Sequence, residues 1–116
     1  MHDPDCIFCK IAAGTIPCAK VYEDEALLGF KDINPAAPVH LLLIPKRHIV
    51  SLQQVGSGDQ ELLGKMLLLV PQLAAEHGCS DGFKTVINSG RNGGQEVFHL
   101  HLHILGGPRP WARASV

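Results

Sequence analysis

Three histidines occupy alternate positions near the end of the chain, His99, His101 and His103, with apolar residues between them. In a β-strand, alternate side chains point to the same face, so the three imidazoles would form one row about 6.6 Å apart. Imidazole titrates close to neutral pH, which suits it to proton transfer, nucleophilic attack and metal ligation. The pattern therefore predicts a strand whose apolar row enters a core while its histidine row faces a cleft where a reaction takes place.

A second group that could do chemistry lies at the other end of the chain. Cys6 and Cys9 have the Cys-x-x-Cys spacing that places two thiolates on one tetrahedral zinc ion, which would need two further ligands. The alternative is two reduced thiols packed at the start of a helix. Cys18 and Cys79 have no partner at metal-binding spacing and are expected to act as small apolar residues.

The elements that must position these groups follow from the hydrophobic pattern and the turn residues. One long helix is predicted over 59–76, where apolar residues recur at helical spacing, with a capping box formed by Ser57 and Gln60. A short helix over 5–13 ends at Gly14. Further strands are predicted at 20–24, 26–30, 39–44 and 83–88, with the histidine strand last. Strands arriving as hairpins beside one main helix predict an α+β fold with a mostly antiparallel sheet.

Length and composition limit the classes of protein that fit. The 116 residues suit a single domain over 1–116, and 46% hydrophobic with 18% charged residues is a globular composition. A net charge of −1 argues against broad binding to nucleic acid. The apolar stretches are too short to cross a membrane and the start does not resemble a signal peptide. We therefore expect a cytoplasmic protein without nucleic-acid or membrane partners, whose cysteines are thiols or metal ligands.

The segment His-x-His-x-His followed by two apolar residues resembles the signature of the histidine triad (HIT) superfamily of nucleotide hydrolases and transferases. The resemblance extends over most of the chain, and the Gly106-Gly107 pair is similar to the Hint-like branch of bacterial HIT proteins. It implies a five-stranded antiparallel sheet with one long helix and a short N-terminal helix, usually in a homodimer that binds a purine nucleotide. The resembling segments are 6–11, 30–35, 38–40, 44–48 and 88–95.

The resemblance implies a catalytic role for four histidines. His101 would attack the α-phosphorus of a nucleoside phosphoramidate or acyl-adenylate, giving a covalent nucleotidyl-histidine that water cleaves. His103 would contact the phosphate oxygens, His40 would be a further active-site histidine, and His99 is the first member of the triad. Catalysis of this kind needs no cofactor. Without the resemblance, His101 is an ordinary histidine of a half-buried strand and His40 a lone histidine in an apolar run.

The resemblance also implies a set of nucleotide contacts. Asp32 would accept hydrogen bonds from the ribose hydroxyls, while Phe30 and Ile33 would contact the base. Alternatively, Asp32 caps a turn and the two apolar residues belong to the core. Glu96 stands where many Hint-like proteins carry serine, so the resemblance assigns it no catalytic role. Asn88 and Gly94 would lie at the phosphate, in a loop that could equally be a plain turn, and Gln95 and Glu96 are further nucleotide contacts whose roles are left open.

Two further implications concern a metal and a partner. The resemblance implies that His48 and His99 would complete a zinc site with Cys6 and Cys9, since related bacterial proteins are similar in this arrangement, and such a zinc would be structural. A ligated His99 could not then act as a free acid. Trp111, in the tail at 108–113, would reach the active site of a second protomer, unless it is simply exposed.

The resemblance points first to a nucleoside phosphoramidase of the adenosine 5′-monophosphoramidase type. Two alternatives stay open: a dinucleoside polyphosphate hydrolase, and a nucleotide-binding interaction module with weak activity. A catalytic metal held by the three imidazoles is disfavoured because alternate strand residues lie too far apart to converge on one ion.

Overall fold

The computed structural model describes residues 3–111, so residues 1, 2 and 112–116 of the predicted domain lie outside the described part. Within it, the structure contains two α-helices, five strands and three short 3₁₀ turns, and it confirms the predicted α+β class. None of the helices in this part has the length and hydropathy that a membrane crossing requires. The elements are α1 (Ile7–Ala12), β1 (Lys20–Glu23), β2 (Leu27–Lys31), β3 (Val39–Pro45), α2 (Gln60–Glu76), β4 (Phe83–Val86) and β5 (Leu102–Gly106).

The five strands form one antiparallel sheet in the order β1-β2-β3-β5-β4. Strand β3 lies in the middle, and six of its seven residues are buried, as expected for a strand covered on both faces. Its register pairs Leu42 with His103 and His40 with Leu105. Since side chains alternate between faces, His40 and His103 lie on the same face as diagonal neighbours. The sheet thus brings together two histidines that are 63 residues apart in sequence.

Each face of the sheet is covered by one helix. On one face, α2 packs Met66, Leu69 and Leu73 against the buried leucines of β2, β3 and β5. On the other face, Phe8 and Ile11 of α1 pack against the strands. Burying a side chain of this size stabilises the fold by about 1.5–3 kcal/mol, so both faces contribute. Because Leu42 belongs to the α1 face, His40 and His103 lie on that face as well.

The start of the long helix differs from the prediction. The helix begins at Gln60, and Ser57 lies in a 3₁₀ turn before it. The predicted capping box of Ser57 and Gln60 is therefore wrong. Instead, the carboxylate of Asp59 accepts a hydrogen bond of 3.0 Å from the backbone N–H of Gly56. A carboxylate at this position also suits the positive end of the helix dipole.

The histidine strand is shorter than predicted. Strand β5 begins at Leu102, so His103 lies in the hydrogen-bonded ladder while His99 and His101 precede it. The N–H of Leu100 donates to the carbonyl of Ile49 at 2.6 Å, a loop contact instead of a ladder bond. The predicted single row of three imidazoles is therefore wrong, because the chain bends at His99 and aims that ring elsewhere.

Candidate active site

A cavity of about 630 Å³ opens on the α1 face of the sheet, a volume typical of small-molecule sites. One part of its wall is apolar and includes Phe8, Ile11, Ile16, Phe30, Leu42 and Val97. The other part is polar and includes Asp32, Asn34, Asn88, Glu96, His101 and His103. A larger groove of about 780 Å³ runs along α2, but none of the histidines or cysteines in residues 3–111 lines it. Of these two openings, the smaller one is lined by histidines and is the candidate active site.

The backbone fixes the tautomer of the His101 ring. Its Nδ1 lies 2.7 Å from the carbonyl oxygen of His99, which can only accept, so Nδ1 carries the proton and Nε2 keeps its lone pair. Burial lowers the pKa of His101, although the hydrogen bond to His99 and the negative charges of Asp32 and Glu96 oppose this shift. The imidazole is thus neutral near pH 7. The ring of Phe8 packs edge-on against it at 5.1 Å.

His103 offers the cavity an N–H donor, whereas His101 offers a lone pair. The N–H of Ala36 donates to Nδ1 of the buried His40 at 3.0 Å, which leaves the proton of neutral His40 on Nε2. That Nε2 lies 2.8 Å from Nδ1 of His103 and 3.4 Å from Oδ2 of Asp32. When His40 donates to His103, the proton of neutral His103 is on its own Nε2. The cavity therefore receives a lone pair from His101 and an N–H donor from His103, on rings 5.0 Å apart.

Three predicted contacts lie at the end of β2 and in the turn after it. Phe30 is buried and packs edge-on against Phe8 at 5.7 Å. Asp32 accepts a 2.8 Å hydrogen bond from the N–H of Asn34, so its carboxylate also caps the turn. Ile33 is 98% exposed and stands at the cavity mouth. All three line the cavity, and the exposure of Ile33 leaves it available to a ligand rather than to the core.

The loop between β4 and the triad supplies Asn88, Gly94 and Glu96 to the cavity wall, but not Gln95. The Gln95 side chain points inward, where Oε1 accepts from the N–H of Gly90 at 2.8 Å and Nε2 donates to the carbonyls of Val50 and Val97 at 2.7 and 3.0 Å. Gln95 thus fixes the loop instead of lining the cavity. Gly94 has φ of +82°, a conformation that favours glycine.

Several wall residues were missed by the sequence analysis. Phe8 and Ile11 lie three positions apart on one side of α1, which is a helical core pattern without any mark of a ligand site. Lys31, Asn34 and Val97 also line the cavity. Only their position beside predicted contacts in the sequence could have identified them.

The second cluster of chemical groups lies outside this cavity. Cys6 at the start of α1, Cys9 in α1, His48 after β3 and His99 direct four ligand atoms to within 4.8 Å of one another. Nδ1 of His99 lies 3.3 Å from both Sγ of Cys6 and Nδ1 of His48, and Sγ of Cys9 lies 3.2 Å from Nδ1 of His48. A tetrahedral zinc with bonds of about 2.0–2.3 Å separates its ligand atoms by about 3.3–3.8 Å. The donor types and spacings therefore fit zinc.

The ring of His99 is oriented for this cluster. Its Nε2 lies 2.8 Å from the carbonyl of Pro45 and donates to it, which leaves the Nδ1 lone pair facing the two sulfurs. A backbone partner of this kind is typical of metal-binding histidines. His99 has no solvent exposure and does not line the cavity. Burial raises the pKa of the Cys9 thiol, so a cation would be needed to hold a thiolate there.

Trp111 is anchored to its own chain. Its Nε1 donates to the carbonyl of Gly107 at 3.0 Å, and the guanidinium of Arg109 lies over its ring at 4.3 Å. The ring also packs beside Ala36 and Leu105. The predicted contact to a second protomer stays a prediction, and residues 112–113 of the predicted tail lie outside the described part of the chain.

Comparison with known families gives a match over nearly the whole chain. A family profile described as "Scavenger mRNA decapping enzyme C-term binding" matches residues 5–113. The sequence is 62% identical over 104 residues to Protein HitA of Neisseria gonorrhoeae, covering 90% of this chain and 97% of that protein. It is 54% identical over 108 residues to an uncharacterized HIT-like protein of Synechocystis, covering 93% and 94% of the two chains.

Solved structures show the same architecture. A HIT family hydrolase from Legionella pneumophila superposes with a TM-score of 0.88 at 49% identity, covering 90% of this chain and 95% of that one. A histidine triad protein from Clostridium difficile superposes with a TM-score of 0.90 at 45% identity, covering 95% and 96%. The predicted arrangement of a five-stranded sheet with one long and one short helix is thus confirmed by these structures as well as by the chain's own fold.

Proposed function

The chain belongs to the histidine triad family, and from this premise we propose that it is a nucleotide-binding hydrolase that cleaves purine nucleoside phosphoramidates or related nucleoside 5′-monophosphate derivatives. The observation that carries the proposal is the pair of opposite ring nitrogens in the cavity. A nucleophile needs the lone pair that His101 offers, and a phosphoryl group needs the N–H donor that His103 offers.

The cavity offers a place for each part of such a substrate. The base lies between Phe30 and Ile33, whose apolar surfaces discriminate weakly among purines. The ribose hydroxyls donate to Asp32. The phosphate lies over the loop at Asn88 and Gly94, next to both histidines. Gln95 acts as a positioning residue, since its three hydrogen bonds hold this loop.

The reaction proceeds in two steps. Nε2 of His101 attacks the phosphorus, a P–N bond to the histidine forms, and the P–N bond to the leaving amine breaks. The amine keeps the electron pair and takes a proton from water. A second water then attacks the phosphorus, the electron pair of the breaking bond returns to Nε2, and the proton of that water passes to solvent. The hydrogen bond from Nδ1 to the His99 carbonyl holds the ring in place through both steps.

During both steps negative charge builds up on the phosphoryl oxygens. Nε2–H of His103 donates to one of them, and His40 keeps that proton in place through its own bond to Nδ1 of His103. His40 is itself fixed by the N–H of Ala36. His40 is therefore a positioning residue, two hydrogen bonds away from the reacting phosphorus.

We also propose that Cys6, Cys9, His48 and His99 hold a structural zinc. Such an ion would tie α1 to the segment before β5, the two elements that carry Phe8 and His101. His99 is then a metal ligand and not a catalytic acid. Catalysis itself needs no cofactor in this proposal, because attack, charge stabilisation and positioning are all supplied by side chains and backbone.

A homodimer is the final part of the proposal. Strand β4 lies at the edge of the sheet with Phe83 40% exposed, and Leu68 of α2 is 78% exposed. Covering an edge strand and exposed apolar groups favours association. Light scattering on the purified protein at micromolar concentration tests this, and a mass of one chain would contradict it.

The function is tested by measuring hydrolysis of adenosine 5′-phosphoramidate by the wild type and by His101→Ala. The wild type should release AMP, and mass spectrometry of acid-quenched enzyme should detect an adenylated peptide that contains position 101. Absence of turnover, or equal turnover by the variant, would refute the proposal. Diadenosine polyphosphate assayed under the same conditions separates the phosphoramidase from the polyphosphate hydrolase.

A further inference from the structure

The charges in the cavity wall are unusual for a site that binds phosphate. Among the described residues that line it, Lys31 is the single lysine or arginine, while Asp32 and Glu96 are carboxylates. Sites for several phosphate groups usually contain arginine or lysine clamps, because each phosphate adds negative charge. The wall therefore suits a substrate with one phosphate and little other negative charge.

The two carboxylates differ in how they are used. One oxygen of Asp32 accepts from the N–H of Asn34 and the other lies 3.4 Å from Nε2 of His40. Glu96 is exposed, and within residues 3–111 its carboxylate takes part in no hydrogen bond and no ion pair. The charge of Glu96 is thus not neutralised by the protein.

Glu96 stands on the side of the cavity where the reaction occurs. It lies two residues after Gly94 and five before His101, all three lining the same wall. Its negative charge is also felt at the His101 ring. Because Glu96 is exposed and lines the cavity, its carboxylate is accessible to a leaving group held on that side.

We propose that Glu96 makes this site selective for phosphoramidates whose amine leaving group carries a positive charge, and that it disfavours anionic leaving groups such as polyphosphates. The inference rests on the proposed function and adds the charge of the leaving group to it. The amine takes one proton from water as the P–N bond breaks and is then neutral; at neutral pH it takes a second proton from water and becomes an ammonium ion, which a nearby carboxylate attracts. A second positive charge on the amine's tail gains further attraction, and a negative tail is repelled.

The test uses three adenosine 5′-phosphoramidates that share the same P–N bond and differ only at the end of a two-carbon tail, which carries an ammonium, a hydroxyl or a carboxylate. For the wild type, kcat/KM should fall in that order, with about tenfold between the ammonium and the carboxylate substrate. In Glu96→Gln this ratio should shrink to about twofold, and in Glu96→Lys it should invert. The exposed position means that both variants should keep the wild-type Tm.

Glu25→Gln is the matched control, because it removes the same charge from an exposed position outside the cavity. Its ratio should equal that of the wild type. The preference of the wild type should also weaken when the salt concentration is raised from about 20 to about 500 mM, because salt screens the charge of Glu96. A salt-independent ratio would contradict a charge effect.

The two proposals fail in different ways. Hydrolysis of all three substrates with equal kcat/KM, or a ratio unchanged in Glu96→Gln, overturns the role of Glu96 while the hydrolase stands. If none of the three is cleaved, or if His101→Ala cleaves them as the wild type does, the hydrolase proposal falls and the inference about Glu96 falls with it.

Discussion

His99 and His101 are two residues apart and lie in opposite chemical surroundings. Each ring gives one N–H to a backbone carbonyl, but through different nitrogens: His101 uses Nδ1 toward His99, and His99 uses Nε2 toward Pro45. The remaining nitrogen of His101 is available to the cavity, whereas that of His99 faces Cys6 and Cys9. The ring nitrogen that donates to a carbonyl thus decides which nitrogen keeps the lone pair: Nε2 in His101 and Nδ1 in His99.

The two regions also differ in what can reach them. The cavity around His101 is large enough for a small molecule. In the cluster around His99 the four donors are already close together; Cys9 and His99 are buried, and Cys6 and His48 are half-buried. Damage to the first region should therefore cost activity with little loss of stability, and damage to the second should cost stability.

The largest effect expected from this comparison is the loss of activity in His101→Ala. Without the attacking nitrogen, kcat/KM for adenosine 5′-phosphoramidate should drop by about 10³-fold or more. The fold should survive, because the ring borders an open cavity and its removal leaves the cluster of Cys6, Cys9, His48 and His99 intact. Steady-state kinetics and thermal unfolding of the same samples test both halves. If His101→Ala unfolds or loses bound metal, the expectation that damage to the cavity costs activity and not stability is contradicted.

The next effect concerns the cluster and is a loss of stability in Cys9→Ser. Because structural zinc contributes directly to folding, the free energy of unfolding should fall by about 3 kcal/mol or more, together with the bound zinc. Urea unfolding and elemental analysis measure the two quantities. Cys18→Ser is the control, since Cys18 is also a free thiol but lies outside the cluster. Full zinc content in Cys9→Ser, or no zinc in the wild type, would contradict the proposed zinc site.

A smaller effect should follow from changing His40, which lies behind the reacting groups. In His40→Ala, His103 loses the donor to its Nδ1 and its proton is no longer confined to Nε2. We expect kcat to fall by about 10- to 100-fold, with KM changed much less. His40→Gln retains an N–H donor and should recover part of kcat. Equal kinetics for the two variants would show that His40 acts through packing and not through this hydrogen bond.

The sequence predicted the sheet well because its strands carry local signals. Strand β3 is a buried apolar run that stops at a proline, and its predicted end at 44 differs from the observed end by one residue. The predicted capping of α2 was wrong because a 3₁₀ turn over Ser57–Asp59 precedes the helix, and Asp59 takes the N-cap position without a side-chain cap hydrogen bond. The existence of a helix depends on many residues, whereas its first residue depends on a few local contacts that the hydrophobic pattern does not show.

The site was less accessible to sequence reasoning for a different reason. Alternation placed His99 in one row with His101 and His103, but the strand begins only at Leu102. The bend before it depends on the contact of Leu100 with Ile49, which lies 51 residues away in sequence. The inward turn of Gln95 depends similarly on the distant carbonyl of Val50. Long-range backbone partners of this kind leave no pattern in the sequence.

The smallest expected effect comes from a carboxylate distant from both regions. Asp24 joins the turn between β1 and β2 to α2: its Oδ2 lies 2.8 Å from Nζ of Lys65 and 2.5 Å from the hydroxyl of Tyr22, and its Oδ1 accepts from the N–H groups of Ala26 and Leu27. Burial raises the pKa of Asp24, but these hydrogen bonds outweigh it and hold the pKa well below its usual range. The carboxylate is therefore charged in the folded protein over the whole neutral range.

Asp24→Asn should consequently lower the free energy of unfolding by about 1–2 kcal/mol at pH 7, because the amide loses the charge that strengthens these hydrogen bonds. A depressed pKa in the folded state stabilises the fold above the pKa of the unfolded chain, about 3.9, and this contribution disappears as the pH falls through the lower folded value. The gap between wild type and variant, measured by urea unfolding, should thus be constant from pH 7 to about pH 5 and narrow below about pH 4. Since Asp24 contacts neither the cavity nor the cluster, kcat/KM and zinc content should equal those of the wild type. A stability loss accompanied by a loss of zinc would mean that any destabilisation releases the metal, and the separation between the two histidine regions would then rest on the kinetics of His101→Ala alone.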